Sequence, residues 1–127
     1  MREILFRGKS TDTGEWIVSD CISHIELTQG THHILLRKIT NYYTTYEEVK
    51  KETVGQFTGL HDKNGTRIFE GDIVKANFTT NHSKQILRVI CDDGSFFFDN
   101  GCVQVTRGFV YNINVIGNIH DNPDLLE

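Results

Sequence analysis

The chain has a single proline and only three cysteines in 127 residues. Cys21, Cys91 and Cys102 are an odd number and form no Cys-x-x-Cys, which reads as free thiols in a reducing compartment rather than a disulfide framework. Long apolar runs are missing as well. The patch of Ile4, Leu5 and Phe6 falls short of the roughly 7–15 apolar residues of a signal-peptide core. No stretch approaches the roughly 20 that a membrane span needs. The expectation is a cytoplasmic protein without a membrane association. An excess of positive charge is also lacking. Thirteen Lys and Arg stand against 17 Asp and Glu, for a net charge of −4. That opposes broad, sequence-independent binding of nucleic acid, which needs a positive surface. Enzyme signatures fail in turn. There is no Gly-x-Ser-x-Gly, and Ser95 merely follows Gly94 into a strand. There is no Gly-x-x-x-x-Gly-Lys-Ser/Thr to cradle a phosphate. No enzymatic activity and no cofactor are expected.

What the chain does have is short strands punctuated by glycine turns. A chain of this length can bury a core without a disulfide or metal staple. Residues 3–7 alternate polar and apolar, residues 11–14 (Thr-Asp-Thr-Gly) turn, and residues 15–18 extend around Trp16, which together read as a hairpin. Residues 33–39 read as another strand. Residues 42–52 are ambiguous. Thr45 with Glu48 fits a capping box, so a short helix or an irregular insertion is expected there, although the Tyr- and Thr-rich start prefers a strand. A soft boundary near Val54 and Gly55 separates an N-terminal region, 1–54, from a more regular stretch, 55–127. Seven of the eight phenylalanines lie at or beyond Phe57, which puts the main core in the second part.

Turn arithmetic predicts strand registers. A two-residue type I′ turn at Asn64-Gly65 would set Asp62 against Arg67 and Leu60 against Phe69. A two-residue turn at Asp93-Gly94 sets Cys91 against Phe96, Val89 against Phe98 and Arg88 against Asp99. Another at Asn100-Gly101 sets Phe98 against Val103 and Phe96 against Val105. One face of this meander then carries Val89, Cys91, Phe96, Phe98, Val103 and Val105. The other carries Arg88, Ile90, Phe97, Asp99, Cys102 and Gln104. A one-residue slip would mix the two sets, so the pattern specifies its own faces. Residues 72–78 alternate with Val74, Ala76 and Phe78 on one side, and residues 112–119 form a last strand.

Few residues suggest chemistry. Cys21-x-x-His24 has the spacing of half a zinc site, but no second half follows. His32 and His33 on a strand would point to opposite faces. Asp92 and Asp93 sit at a turn, where Asp serves the backbone. No metal site is expected. The candidate binding residues are Arg88, Ile90 and Phe97 on the outer meander face. Aromatic and arginine side chains there suit a protein interface, and they can also stack nucleobases. The competing expectation is that another segment, such as the N-terminal hairpin or residues 16–51, folds back over this face.

Three stretches resemble the YopX family of phage and prophage proteins: residues 2–7 (REILFR), 56–75 (QFTGLHDKNGTRIFEGDIVK) and 115–126 (VIGNIHDNPDLL). The middle stretch is the most specific. The resemblance implies an all-β protein. An SH3-type barrel or roll is implied in 55–127, with the strands and variable insertion of 1–54 packing on it. The step through Gly71 and Asp72 resembles a strand opening common in such barrels. A phage or prophage origin and the cytoplasm of a bacterial host are implied too. No cofactor or catalytic residue carries over, and fold alone does not supply function. The expected role is a non-enzymatic, self-associating module that engages a host or phage protein. The alternatives are a nucleic-acid-binding barrel and a small-molecule or nucleotide binder at a subunit interface.

Overall fold

The computed structural model describes residues 3–28, 31–39 and 43–126. The protein is all-β, with 3-10 turns and no α-helix among the described residues. Its contacts cluster into two units, Met1–Phe57 and Thr58–Glu127.

In the first unit, β1 (Phe6–Lys9) and β2 (Trp16–Ser19) form the expected hairpin, with Lys9 opposite Trp16 and Gly8 opposite Ile17. The Ser10 hydroxyl accepts the N–H groups of Asp12 and Thr13, each at 3.2 Å, and fixes the turn. The chain continues as an antiparallel meander of β3 (Ile22–Thr28), β4 (Thr31–Ile39) and β5 (Thr44–Val49). Ile17, Leu36 and Val49 are buried together, with Phe6, Ile34 and Val54 packed against them. Gly8 makes this packing possible, because a Cβ there would come within 2.8 Å of Val49 Cγ2.

The strand β5 corrects the expectation of a helix or irregular insertion at 42–52; residue 42 itself lies outside the described residues. Thr45 does not cap Glu48. The backbone pairs with β4 instead, Arg37 against Tyr46 and Leu35 against Glu48. Glu48 spends its carboxylate on the Nδ1 of His33 across the strand pair. Only a 3-10 turn, Lys51–Thr53, follows. The local capping signal lost to β propensity reinforced by pairing partners.

The strand β6 (Gly55–His61) begins in the first unit, where Gln56 pairs with Phe6, and ends in the second. There β7 (Arg67–Phe69) returns beside it, with the Thr58 hydroxyl donating to the Ile68 carbonyl at 2.7 Å. A five-stranded antiparallel sheet follows. It comprises β8 (Asp72–Phe78), β9 (Lys84–Asp92), β10 (Ser95–Asp99), β11 (Gln104–Val105) and β12 (Val110–Asn118), in the order β11-β10-β9-β8-β12. It curls into a half-barrel. The core holds Ile68, Val74, Ala76, Leu87, Val89, Phe98 and Val110, flanked by Leu60, Phe78, Val105, Ile113 and Val115. Val74, Ala76 and Phe78, expected to share one side of β8, all pack on this core.

The first meander register stands as expected: Cys91 opposite Phe96, Val89 opposite Phe98, Arg88 opposite Asp99. Asp93 and Gly94 both take positive φ, as a type I′ turn requires. The second register is corrected. Phe98 faces Val105, not Val103, because residues 100–103 form a longer loop. The Asn100 carboxamide accepts the N–H groups of Cys102 and Val103, both at 2.9 Å, and sets that loop. A slip of two residues preserves the face, so Val105 still packs on the core while Val103 is 46% exposed. Cys91, expected to point inward, is exposed near the strand end, and all three cysteines are free.

The hairpin at 62–66 is corrected as well. Only Gly65 takes positive φ. The Asp62 N–H donates to the Thr66 carbonyl at 2.8 Å and the Gly65 N–H to the Asp62 carbonyl at 3.0 Å. This is a type I turn with a glycine bulge, one residue longer than the type I′ turn expected. Asp62 therefore faces Thr66 and not Arg67.

Candidate functional site

Strand alternation places Arg88, Ile90 and Phe97 on one face of the five-stranded sheet, as expected. Ile90 lies opposite Phe97, and both are half-buried. Arg88 donates from Nε to Asp99 Oδ2 at 2.8 Å, and Asp99 is almost fully buried. The other Asp99 oxygen accepts the Gly101 N–H at 3.2 Å, so one carboxylate fixes both the arginine and the following loop. Register also brings Lys75 (opposite Ile86) and Lys84 (opposite Asn77) to this face. Ile86 is 40% exposed.

The C-terminal segment, which the sequence reading did not name for this role, folds onto this face. The Asn118 side chain accepts the N–H groups of His120 and Asp121 at 3.0 and 2.9 Å and turns the chain back. The 3-10 turn Pro123–Leu126 then lies against β9. Gly117 admits the return, since a Cβ there would meet Asn122 Oδ1 at 2.6 Å. Leu125 and Leu126 on one side, with Ile86, Arg88 and Gly101 on the other, bound an open depression of about 290 Å³. Sequence reasoning named Arg88 but not its apolar neighbours from the C-terminus; Gly117 was the one signal of a close approach.

The first unit offers a surface that the sequence reading did not single out. In the β3–β5 sheet, Leu36 and Val49 face the core. Alternate residues Leu35, Ile39 and Tyr46 therefore project from the opposite face. Ile39 is 69% exposed and Tyr46 is 53% exposed. Polar pairs flank them: His33 hydrogen-bonded to Glu48, and the ion pair of Arg37 with Asp20. The hydrogen bond from Arg37 to Asp20, followed by the Coulombic attraction of the same carboxylate, raises the guanidinium pKa above its ordinary value. Strand β3 pairs only with β4 among the described residues, leaving one edge open.

Among the described residues no three His, Cys, Asp or Glu side chains gather as a metal-ligand set. No helix among them is long and apolar enough to cross a membrane. The turn at Gly71 and Asp72 serves the backbone. Asp72 Oδ2 accepts the Phe69 N–H at 2.7 Å, and Gly71 has φ +92°.

The half-barrel and the hairpin define a small all-β protein whose polar side chains mostly organise its own turns. Residues 5–127 match the family model described as YopX protein, and the chain belongs to the YopX family. A solved structure of protein EF1440 from Enterococcus faecalis is 28% identical over all of both chains, with a TM-score of 0.52. That of protein yopX from Bacillus subtilis is 18% identical, covers 100% of this chain and 98% of its own, and has a TM-score of 0.61. No curated protein matches the chain.

Proposed function

We propose that this protein is a non-enzymatic interaction module that associates with a second copy of itself through the open face of the β3–β5 sheet. The observation that carries the reading is the exposure of Ile39 and Tyr46, at 69% and 53%, on a sheet whose other face holds the core. Apolar side chains grouped in this way are normally covered by a partner. The flanking residues carry both signs of charge, so a two-fold copy meets complementary groups. The open edge of β3 supports the same reading, since unpaired strand edges invite pairing. The assembled surface would engage a host or phage protein in the bacterial cytoplasm. Light scattering across a dilution series tests this. A mass that rises with concentration, and that Ile39→Glu with Tyr46→Glu returns to 14.6 kDa, supports it. A single mass of 14.6 kDa at every concentration removes it.

The outer meander face is a second candidate contact, through Arg88, Ile90 and Phe97. Phe97→Glu in the same assay separates it from the first. A nucleic-acid reading draws on Lys75, Lys84 and Arg88 sharing that face, but the tie from Arg88 to Asp99 neutralises one of the three. Two lysines are too few to track a phosphate backbone. Fluorescence anisotropy with labelled single- and double-stranded oligonucleotides is expected to show no binding at physiological salt. Micromolar binding that weakens steeply with added salt would put nucleic acid first.

A further inference from the structure

A second open cavity, about 300 Å³ in volume, lies in the unit Thr58–Glu127 where the hairpin after β6 meets the start of β12. Leu60, Val110 and Ile113 give it an apolar floor, and three basic side chains, His61, Lys63 and Arg107, stand around it. Its one acid is already committed. Asp62 Oδ1 accepts the N–H groups of Asn64 and Thr66, and Oδ2 accepts that of Val115. Arg37 and Arg88 each hold a carboxylate, whereas Arg107 forms no ion pair among the described residues. On a chain of net charge −4, a cation left unspent beside two more basic groups is notable.

The backbone supplies an independent observation. Among the described residues, three non-glycine residues take positive φ. Asp93 does so in a hairpin turn that demands it. The other two, His82 and Asn112, both at 58°, converge on Tyr111. Asn112 follows it in a bulge that interrupts the β12–β8 ladder between Tyr111 and Asn114. His82 Nδ1 lies 2.9 Å from the Tyr111 hydroxyl, with the two rings edge to face. Such conformations persist where the surroundings over-determine them, and they cluster at ligand sites, as bulges do. Here they fix Tyr111, which is 41% exposed and is among the residues that line the cavity.

We propose that this cavity binds a nucleoside monophosphate, with the phosphate on Arg107 and Lys63 and the base against Tyr111. The guanidinium fork matches phosphate oxygens, and a dianion calls for more than one cation. The volume lies at the small end of ligand sites, which suits one nucleotide and not a polymer. This reading stands apart from self-association, since it uses no residue of the β3–β5 sheet.

The test is an amide NMR titration of the whole chain with adenosine monophosphate, adenosine and inorganic phosphate as separate probes. Adenosine monophosphate is expected to shift resonances of residues 61–63, 107 and 111–113, and adenosine to bind about tenfold more weakly or worse. Arg107→Gln and, separately, Lys63→Gln weaken the monophosphate by about tenfold with an otherwise unchanged spectrum. Tyr111→Leu weakens the monophosphate but not inorganic phosphate, and Lys84→Gln changes neither. The proposal fails if these resonances do not move. It fails if adenosine binds as well as its monophosphate, or if both charge-removing variants bind like wild type. Tighter binding of a single-stranded oligonucleotide, with shifts spreading to Lys75 and Lys84, would replace it with a nucleic-acid groove.

Discussion

Removing the Asp62 carboxylate strips acceptors from three backbone N–H groups at once. Oδ1 holds those of Asn64 and Thr66, both at 2.9 Å, and closes the hairpin; Oδ2 holds that of Val115 at 3.0 Å and ties the hairpin to β12. Hydrogen bonds to a charged group contribute about 1.5–3 kcal/mol each. Water can reach the exposed turn at Asn64 but serves Val115 poorly, so Asp62→Ala costs about 3–5 kcal/mol and not the full sum. Asp62→Asn preserves shape and one acceptor but sets a donor against one of the N–H groups, for about 2–3 kcal/mol.

The same bonds give a pH signature. Burial alone would push the Asp62 carboxyl up; the N–H groups of Val115, Thr66 and Asn64, with the charge of Lys63, outweigh it and hold the carboxyl below its ordinary 3.8. A carboxyl depressed in the folded state contributes stability that is fully present above its unfolded value. That stability is lost as pH falls through the folded one. Asp62→Asn cannot titrate, so the gap between wild type and variant is widest near neutral pH and narrows as pH falls below 3.8 and through the folded value. Urea unfolding across a pH series from about 7 into acid follows the gap. An Asn variant as stable as wild type near neutrality, or a gap that stays constant into acid, would refute the clasp.

Phe98 is 3% exposed in the half-barrel core and Phe97 is only half-buried. In thermal melts at low protein concentration, Phe98→Ala should therefore cost about 3–5 kcal/mol and Phe97→Ala about 1–2; equal losses would contradict the register. Gly117→Ala drives a Cβ into Asn122 Oδ1 and Leu125 Cδ1, at 2.6 and 3.0 Å. It should free the C-terminal turn and speed amide exchange at Asn122 and Leu125, whose N–H groups bond within it. Unchanged exchange there would show that the turn does not depend on the glycine.

The extent to which this fold was legible follows from what each turn depended on. Asp93-Gly94 is a true two-residue turn, so counting outward from it gave the β9–β10 pairs, and with them the shared face of Arg88, Ile90 and Phe97. Asn100-Gly101 looked alike, yet the Asn100 carboxamide organises a four-residue loop. The face survived only because the slip was even. At 45–49 the capping and alternating patterns coexist in the sequence, and β4 chose between them. The C-terminal turn over Arg88 was invisible to local reasoning, because its cause is room beside Gly117.

The one-residue error at Asn64-Gly65 reaches furthest into function. Had Asp62 faced Arg67, its carboxylate would have been one member of a surface ion pair, worth about 0–1 kcal/mol. The glycine bulge instead turns it inward against Val115. The Lys63 N–H follows, donating to the Ile113 carbonyl at 2.9 Å. That bond sets Lys63 beside the strained backbone of Asn112 and so beside Tyr111. Residues more than forty positions apart thus come to share one cavity through a turn whose type cannot be told from the dipeptide alone. The sheet face was found by counting because strands alternate. The cavity is assembled by the exceptions to alternation, a bulge at each of two strand ends, and those lie outside any periodic pattern.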